Sequence, residues 1–111
     1  MAASILPPSE IYAGDSWPGV PLVSIRPNNA VPTVALAAAK VIFFSSEDGP
    51  LSPAHTLESP TDILLNSPTA WDLSVKKAIL PLQPGEWTLR LSTTDAQNET
   101  RTWLTGVVTI L

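Results

Sequence analysis

From Glu86 to Thr93, Trp87, Leu89 and Leu91 alternate with Thr88, Arg90 and Ser92, and a period of two places each set on its own face of a strand. A polar segment, Thr94 to Glu99, supplies a turn. Residues 100–111 follow, rich in Thr, Val and Ile, whose branched side chains suit a pleated surface. The two runs predict an antiparallel hairpin, and Gly106 inside the second predicts a bulge or a close backbone approach. Trp71, Leu73 and Val75 alternate in the same way with Asp72 and Ser74, and "ILLNS" (63–67) forms a short apolar strand just before them.

The amino-terminal half is less regular. "VPLVSI" (20–25) sets Val20, Leu22 and Ser24 against Pro21, Val23 and Ile25, a largely buried or edge strand, with Pro21 favouring an edge or a strand start. "RPNNAVP" (26–32) predicts a turn-rich loop. In "TVALAAAKVIFFSS" the alanines favour helix and Val41 to Phe44 favour strand; the segment is split into a loop or short turn and a strand from about Lys40 to Ser46. "EDGP" stops that strand, and residues 51–62 continue as loop. "KKAILPL" (76–82) is a short strand or a turn connection. With 12 prolines and 5 glycines at short intervals, long helices have nowhere to form. Short strands at this spacing predict an all-β sandwich.

At 111 residues the chain fits one domain. Cysteine is absent, which removes disulfides, thiolate nucleophiles and sulfur-based zinc sites. Only 14% of residues are charged against 44% hydrophobic, so part of the apolar surface is expected to meet a partner. The net charge is -4 with the basic residues scattered, apart from Lys76-Lys77, so no basic stripe exists to track phosphates and no nucleic-acid partner is expected. "MAASILPPSE" has neither a basic n-region nor a long apolar h-region, which predicts a protein made in the cytoplasm. The apolar stretch Val34 to Phe44 is broken by Lys40 and is too short for a membrane helix, which needs ~20 residues.

Candidate chemistry is sparse. His55, the single histidine, lies in a Pro/Ser-rich stretch with no cysteine or orienting acid in a recognisable motif, and is read as a solvated loop residue. The acids of "EDG" and "TDAQNE" are read as turn closers that bond their own backbone rather than as calcium ligands, since neither stretch has the alternating ligand pattern. Asn98-Glu99-Thr100 matches a glycosylation acceptor but is read as a hairpin turn. No catalytic, metal or cofactor-binding residue is assigned. Trp71, Trp87 and Trp103 fall in strand patterns and are expected in the core; Trp17, beside turn residues, is expected to be the most exposed.

The features Gly14-Asp15, then Leu36, Ala39, Val41 and Phe43, then Pro84, Gly85, Trp87 and Asp95, and finally Gly106, Val108 and Ile110 form a pattern. It resembles the amino-terminal immunoglobulin-like domain of phage baseplate upper proteins and related small tail proteins. The resemblance implies a single immunoglobulin-like antiparallel β-sandwich over residues 11–111, preceded by an extended arm, residues 1–10. It further implies a non-enzymatic structural protein of a tailed-phage virion, made in the host cytoplasm and free-standing rather than receptor-binding. Such a protein assembles into the tail, baseplate or neck. Its partners are other virion structural proteins, with a homo-oligomer in the assembled particle. Capsid decoration is the alternative within that class, and a carbohydrate-binding module the alternative outside it. The expected protein contacts are Ile5, Leu6, Pro7 and Pro8 in the arm, then Trp17, then Pro50, Leu51, Pro53 and His55 in the loop. A proline-rich arm has little entropy to lose on docking, which suits it to strap-like contacts.

Overall fold

The computed structural model describes residues 9–26 and 33–111 and the backbone of residues 4 and 5. Most of the loop expected at 26–32 lies outside the described residues. The strands are β1 (Ser4–Ile5), β2 (Ser9–Ile11), β3 (Ser16–Trp17), β4 (Val20–Ser24), β5 (Leu36–Phe44) and β6 (His55–Glu58). They continue with β7 (Ile63–Ser67), β8 (Asp72–Val75), β9 (Ala78–Ile79), β10 (Gly85–Asp95) and β11 (Thr100–Ile110). The described residues contain no helix, in keeping with the proline spacing.

Alternation in the last third of the chain becomes the hairpin β10–β11, paired antiparallel from Gly85↔Ile110 to Thr94↔Thr100. Leu89, Leu91, Val108 and Ile110 turn inward and are buried, while Thr88, Arg90, Val107 and Thr109 stay half-exposed on the outer face. The hairpin is the middle of a six-stranded sheet ordered β1–β11–β10–β5–β6, with β2 also on β11. A three-stranded sheet, β4–β8–β7, and a two-stranded one, β3–β9, complete the architecture. Phe43, Leu91 and Val108 of the large sheet share one core with Val23, Ile63 and Leu73 of the three-stranded sheet. Each such side chain contributes roughly 1.5–3 kcal/mol by leaving water. The all-β expectation holds, and this arrangement is compatible with a sandwich.

Three local expectations are revised. The alanines of 37–39 belong to β5, which starts at Leu36. Ladder bonds to β10 outweigh the helical preference of alanine, and a register shift opposite Thr94/Asp95 leaves Leu36 and Ala39 both buried. Residues 55–58, expected as loop, form β6, because pairing Leu57 with Val41 buries Leu57 under the sheet. The bulge in β11 falls at Trp103, between Thr102 opposite Ser92 and Leu104 opposite Leu91, whereas Gly106 pairs regularly with Leu89.

The described parts of the arm do not stand free of the domain. β1 and β2 both run parallel along β11, Ser4↔Leu104 to Ile5↔Thr105 and Ser9↔Val108 to Ile110↔Ile11. They cover an edge that would otherwise present unpaired backbone groups.

Candidate functional site

The loop from Ser45 to Ala54 is built from short-range bonds. Ser45 Oγ donates to Asp48 Oδ2 at 3.1 Å and accepts the Asp48 N–H at 3.1 Å. The Gly49 N–H bonds Ser45 O at 2.9 Å and the Ser52 N–H bonds Gly49 O at 3.2 Å. Asp48 lies in the turn as expected, but its carboxylate accepts from the Ser45 hydroxyl rather than from its own backbone, and it is Ser45 Oγ that caps the turn. Gly49 adopts φ 73° there, a value that favours glycine. The loop presents Leu51 with 96% of its surface exposed, flanked by exposed Pro53 and half-buried Pro50.

The other expected contacts fare differently. Leu6, Pro7 and Pro8 lie outside the described residues, and Ile5 is described only as a backbone pair of Thr105. Trp17 is 3% exposed, which corrects the expectation that it would be the most exposed tryptophan. Its ring meets Phe43 edge-on with centroids 5.5 Å apart, because β3 pairs with β9 and carries the indole under the sheet. His55 is half-buried in β6 rather than solvated in a loop, with its ring over Phe43 at 6.1 Å. Pro50, Leu51, Pro53 and His55 therefore share one end of the β5–β6 hairpin, and Trp17 lies beneath it.

Tryptophan burial is partial in the strands. Trp71 is buried, and Trp87 and Trp103 are half-buried. Trp71 meets Trp103 edge-on at 5.8 Å. The three indole N–H groups are all bonded within the chain, Trp71 to Val34 O and Trp103 to Thr93 Oγ1 at 2.8 Å in part-buried positions, and Trp87 to Gln83 O at 2.8 Å at the surface. These bonds and contacts fix the rings as part of the scaffold. Tyr12, 66% exposed, is the exposed aromatic among the described residues.

Two depressions formed by described residues are small. A groove on the outer face of the large sheet, about 250 Å³, is lined by Ala38, Lys40, Glu58, Ser92, Thr94 and Thr100. A crevice of about 250 Å³ runs beside Trp17, Pro18, Gly19 and Val107. Both fall below the ~300–1,000 Å³ common for small-molecule sites. Among the described residues no group of three or more His, Asp or Glu side chains is gathered to hold a metal ion.

Electrostatic structure concentrates where β4 meets the β7–β8 turn. Arg26 Nη1 donates to Ile25 O at 3.0 Å and to Ala70 O, and Nη2 donates to Asp72 Oδ1 at 2.9 Å. Hydrogen bonds from Ser24 and then Arg26 hold the Asp72 carboxyl below its ordinary value. This cluster ties two strands together. On the outer face of the large sheet, the Arg90 guanidinium lies over the Phe44 ring at 5.5 Å, and its buried Nε has no hydrogen-bond partner among the described residues.

Sequence reasoning located Leu51 but missed five other exposed apolar side chains among the described residues, Tyr12, Leu22, Leu64, Ile79 and Leu111. Leu22, Leu64, Ile79 and Leu111 each adjoin a buried residue in sequence, and Tyr12 follows half-buried Ile11; the pairing of the strands decides which of them is left outside. Compared with family models, with curated proteins and with solved structures, the chain matches none.

Proposed function

We propose that this chain is an immunoglobulin-like domain that serves as a non-enzymatic structural protein of a tailed-phage virion, joining tail, baseplate or neck through protein–protein contacts. Strand order supports the fold reading. β4, β8 and β7 match strands B, E and D, and β11, β10, β5 and β6 match G, F, C and C′ of a variable-type sandwich. Trp87 supports it further. It stands at the corner entering β10 and its N–H reaches Gln83 O four residues upstream, the job that a tyrosine does at the E–F corner of such domains.

The observation that carries the functional reading is Leu51. A leucine 96% exposed, on a loop closed by its own hydrogen bonds, has its contact geometry prepared before any partner arrives. A catalytic reading lacks comparable support among the described residues: His55 stacks on Phe43, and the two grooves described above are each only about 250 Å³. The carbohydrate-binding alternative needs flat aromatic faces open to solvent, whereas Trp17 and Trp71 are buried and Trp87 and Trp103 are half-buried with their N–H groups bonded within the chain.

Immunogold electron microscopy of particles released by the source culture, with antibody against the recombinant protein, tests the proposal. Label at the tail, neck or baseplate is expected. Label over the shell transfers the role to capsid decoration. Absence of label, together with absence of the chain from the particles by mass spectrometry, overturns the virion reading and makes polysaccharide binding the next assay.

A further inference from the structure

The strand register gathers exposed apolar side chains at one end of the molecule. β11 finishes at Ile110, opposite Gly85 at the start of β10 and beside Ile11 at the end of β2. Leu111 is held there, its N–H on Ile11 O at 2.8 Å and its carbonyl accepting the Ala13 N–H at 3.2 Å. Tyr12 therefore adjoins Leu111. The turn after Tyr12 leads into β3, where Ser16 pairs with Ile79. β5 also ends on this side, since Phe44 pairs with Thr88 near the start of β10, so the loop bearing Leu51 projects from the same end.

Among the described residues, Tyr12 (66% exposed), Leu51 (96%), Ile79 (63%) and Leu111 (47%) all belong to this end; Leu22 and Leu64 are the other large exposed hydrophobics and lie along β4 and β7. Exposed carboxylates accompany them: Glu10 and Glu86 both pair with Thr109, Asp15 lies in the turn after Tyr12, and Glu47 and Asp48 are in the Leu51 loop. Lys76 and Lys77 are the basic residues nearby. Apolar side chains with an acidic surround are the surface of a docking site rather than of a solvated loop cluster.

We propose that this end of the sandwich docks into a neighbouring structural protein whose contact surface is apolar and rimmed by Lys and Arg. The inference rests on the virion reading above and specifies the surface and the partner chemistry. Charge complementarity selects that partner. A second copy presenting the same end would set acidic rim against acidic rim, which costs free energy and disfavours end-to-end self-pairing.

The test is incorporation into particles. A phage lacking the gene is complemented with wild type, with Leu51→Asp/Ile79→Thr, with Glu47→Lys/Asp48→Lys, or with Leu64→Asp as a control on the side of the molecule. The amount of each protein in purified particles is read by immunoblot, and thermal melts of the purified variants establish that they fold. Expected are wild-type levels for the Leu64 variant and at least a tenfold loss for the apolar double variant. The charge-reversal variant should fall severalfold. Incorporation of the folded apolar and charge-reversal variants at the wild-type level overturns the inference and leaves the virion reading standing. Absence of the wild-type chain from particles overturns both. Sedimentation of the wild type as a dimer that Leu51→Asp/Ile79→Thr dissociates assigns the surface to a second copy and overturns the choice of partner.

Discussion

Gly19 adopts φ 74°, and a Cβ placed on it would stand 2.8 Å from the Lys76 carbonyl oxygen and nearer still to that of Val75. Both obstacles are backbone, so neither can rotate away. Gly19→Ala is expected to lose roughly 3 kcal/mol or more of stability, read as a lowered urea midpoint. Asp72 gives a pH signature. Its folded-state carboxyl is held below the ordinary 3.8 by Ser24 and Arg26. The contribution is complete above 3.8 and is lost as pH falls through the lower folded-state value. Thermal melts from pH 7 down to pH ~2 are expected to show Asp72→Asn less stable than wild type at neutral pH, with the gap closing in acid. Arg90 points the other way. Arg90→Met keeps an apolar stem over Phe44 and removes a buried N–H that has no partner among the described residues, so stability is expected to change by less than ~1 kcal/mol.

At the scale of elements, the two borders of the large sheet are protected by different means. β11 is lined by β1 and β2. β6 is closed by Asp62, whose Oδ2 accepts the Glu58 N–H at 3.2 Å and whose N–H donates to Glu58 O at 2.8 Å. Both backbone groups of Glu58 are thereby withheld from another chain, a device against edge-to-edge pairing. Asp62→Ala removes the side-chain half of this cap. It is expected to cost about 1 kcal/mol and to increase concentration-dependent association, measured by light scattering on incubation. The β10–β11 turn depends on Asp95 in a similar way, its Oδ1 accepting the N–H of Gln97 at 2.8 Å and of Glu99 at 3.1 Å.

At the scale of the whole molecule, an indole-braced core adjoins an end that carries exposed apolar and acidic side chains. Tryptophan emission is expected to be blue-shifted relative to free indole, only partly quenched by acrylamide and unchanged by polysaccharide, because two of the rings are buried and the other two are half-buried with their N–H groups bonded within the chain. A red-shifted emission that responds to a sugar would return the carbohydrate reading to first place. Removal of Leu51 as Leu51→Asp is expected to leave the thermal midpoint unchanged, since a side chain 96% exposed contributes little to folding. The contrast between intact stability and lost docking is the mark of an interface residue.

Alternation and proline spacing were enough to establish the all-β class, the β10–β11 hairpin and the strand around Leu73, since a period of two and the missing proline N–H act within a few residues. Local chemistry likewise identified the turn acid Asp95, placed Asp48 in a turn that Ser45 caps, and brought Leu51 into view. Tertiary structure decided the rest. The alanines of β5 and the residues of β6 became strands only because β10 and β5 offered ladder partners, a long-range contribution that local propensity does not contain. Trp17 went inside because β9, some 60 residues later in the chain, holds β3 against the core. The apolar end was invisible for the same reason. Tyr12, Ile79 and Leu111 are far apart in sequence, and which face of a short strand or turn meets solvent is settled by what the other strands already cover.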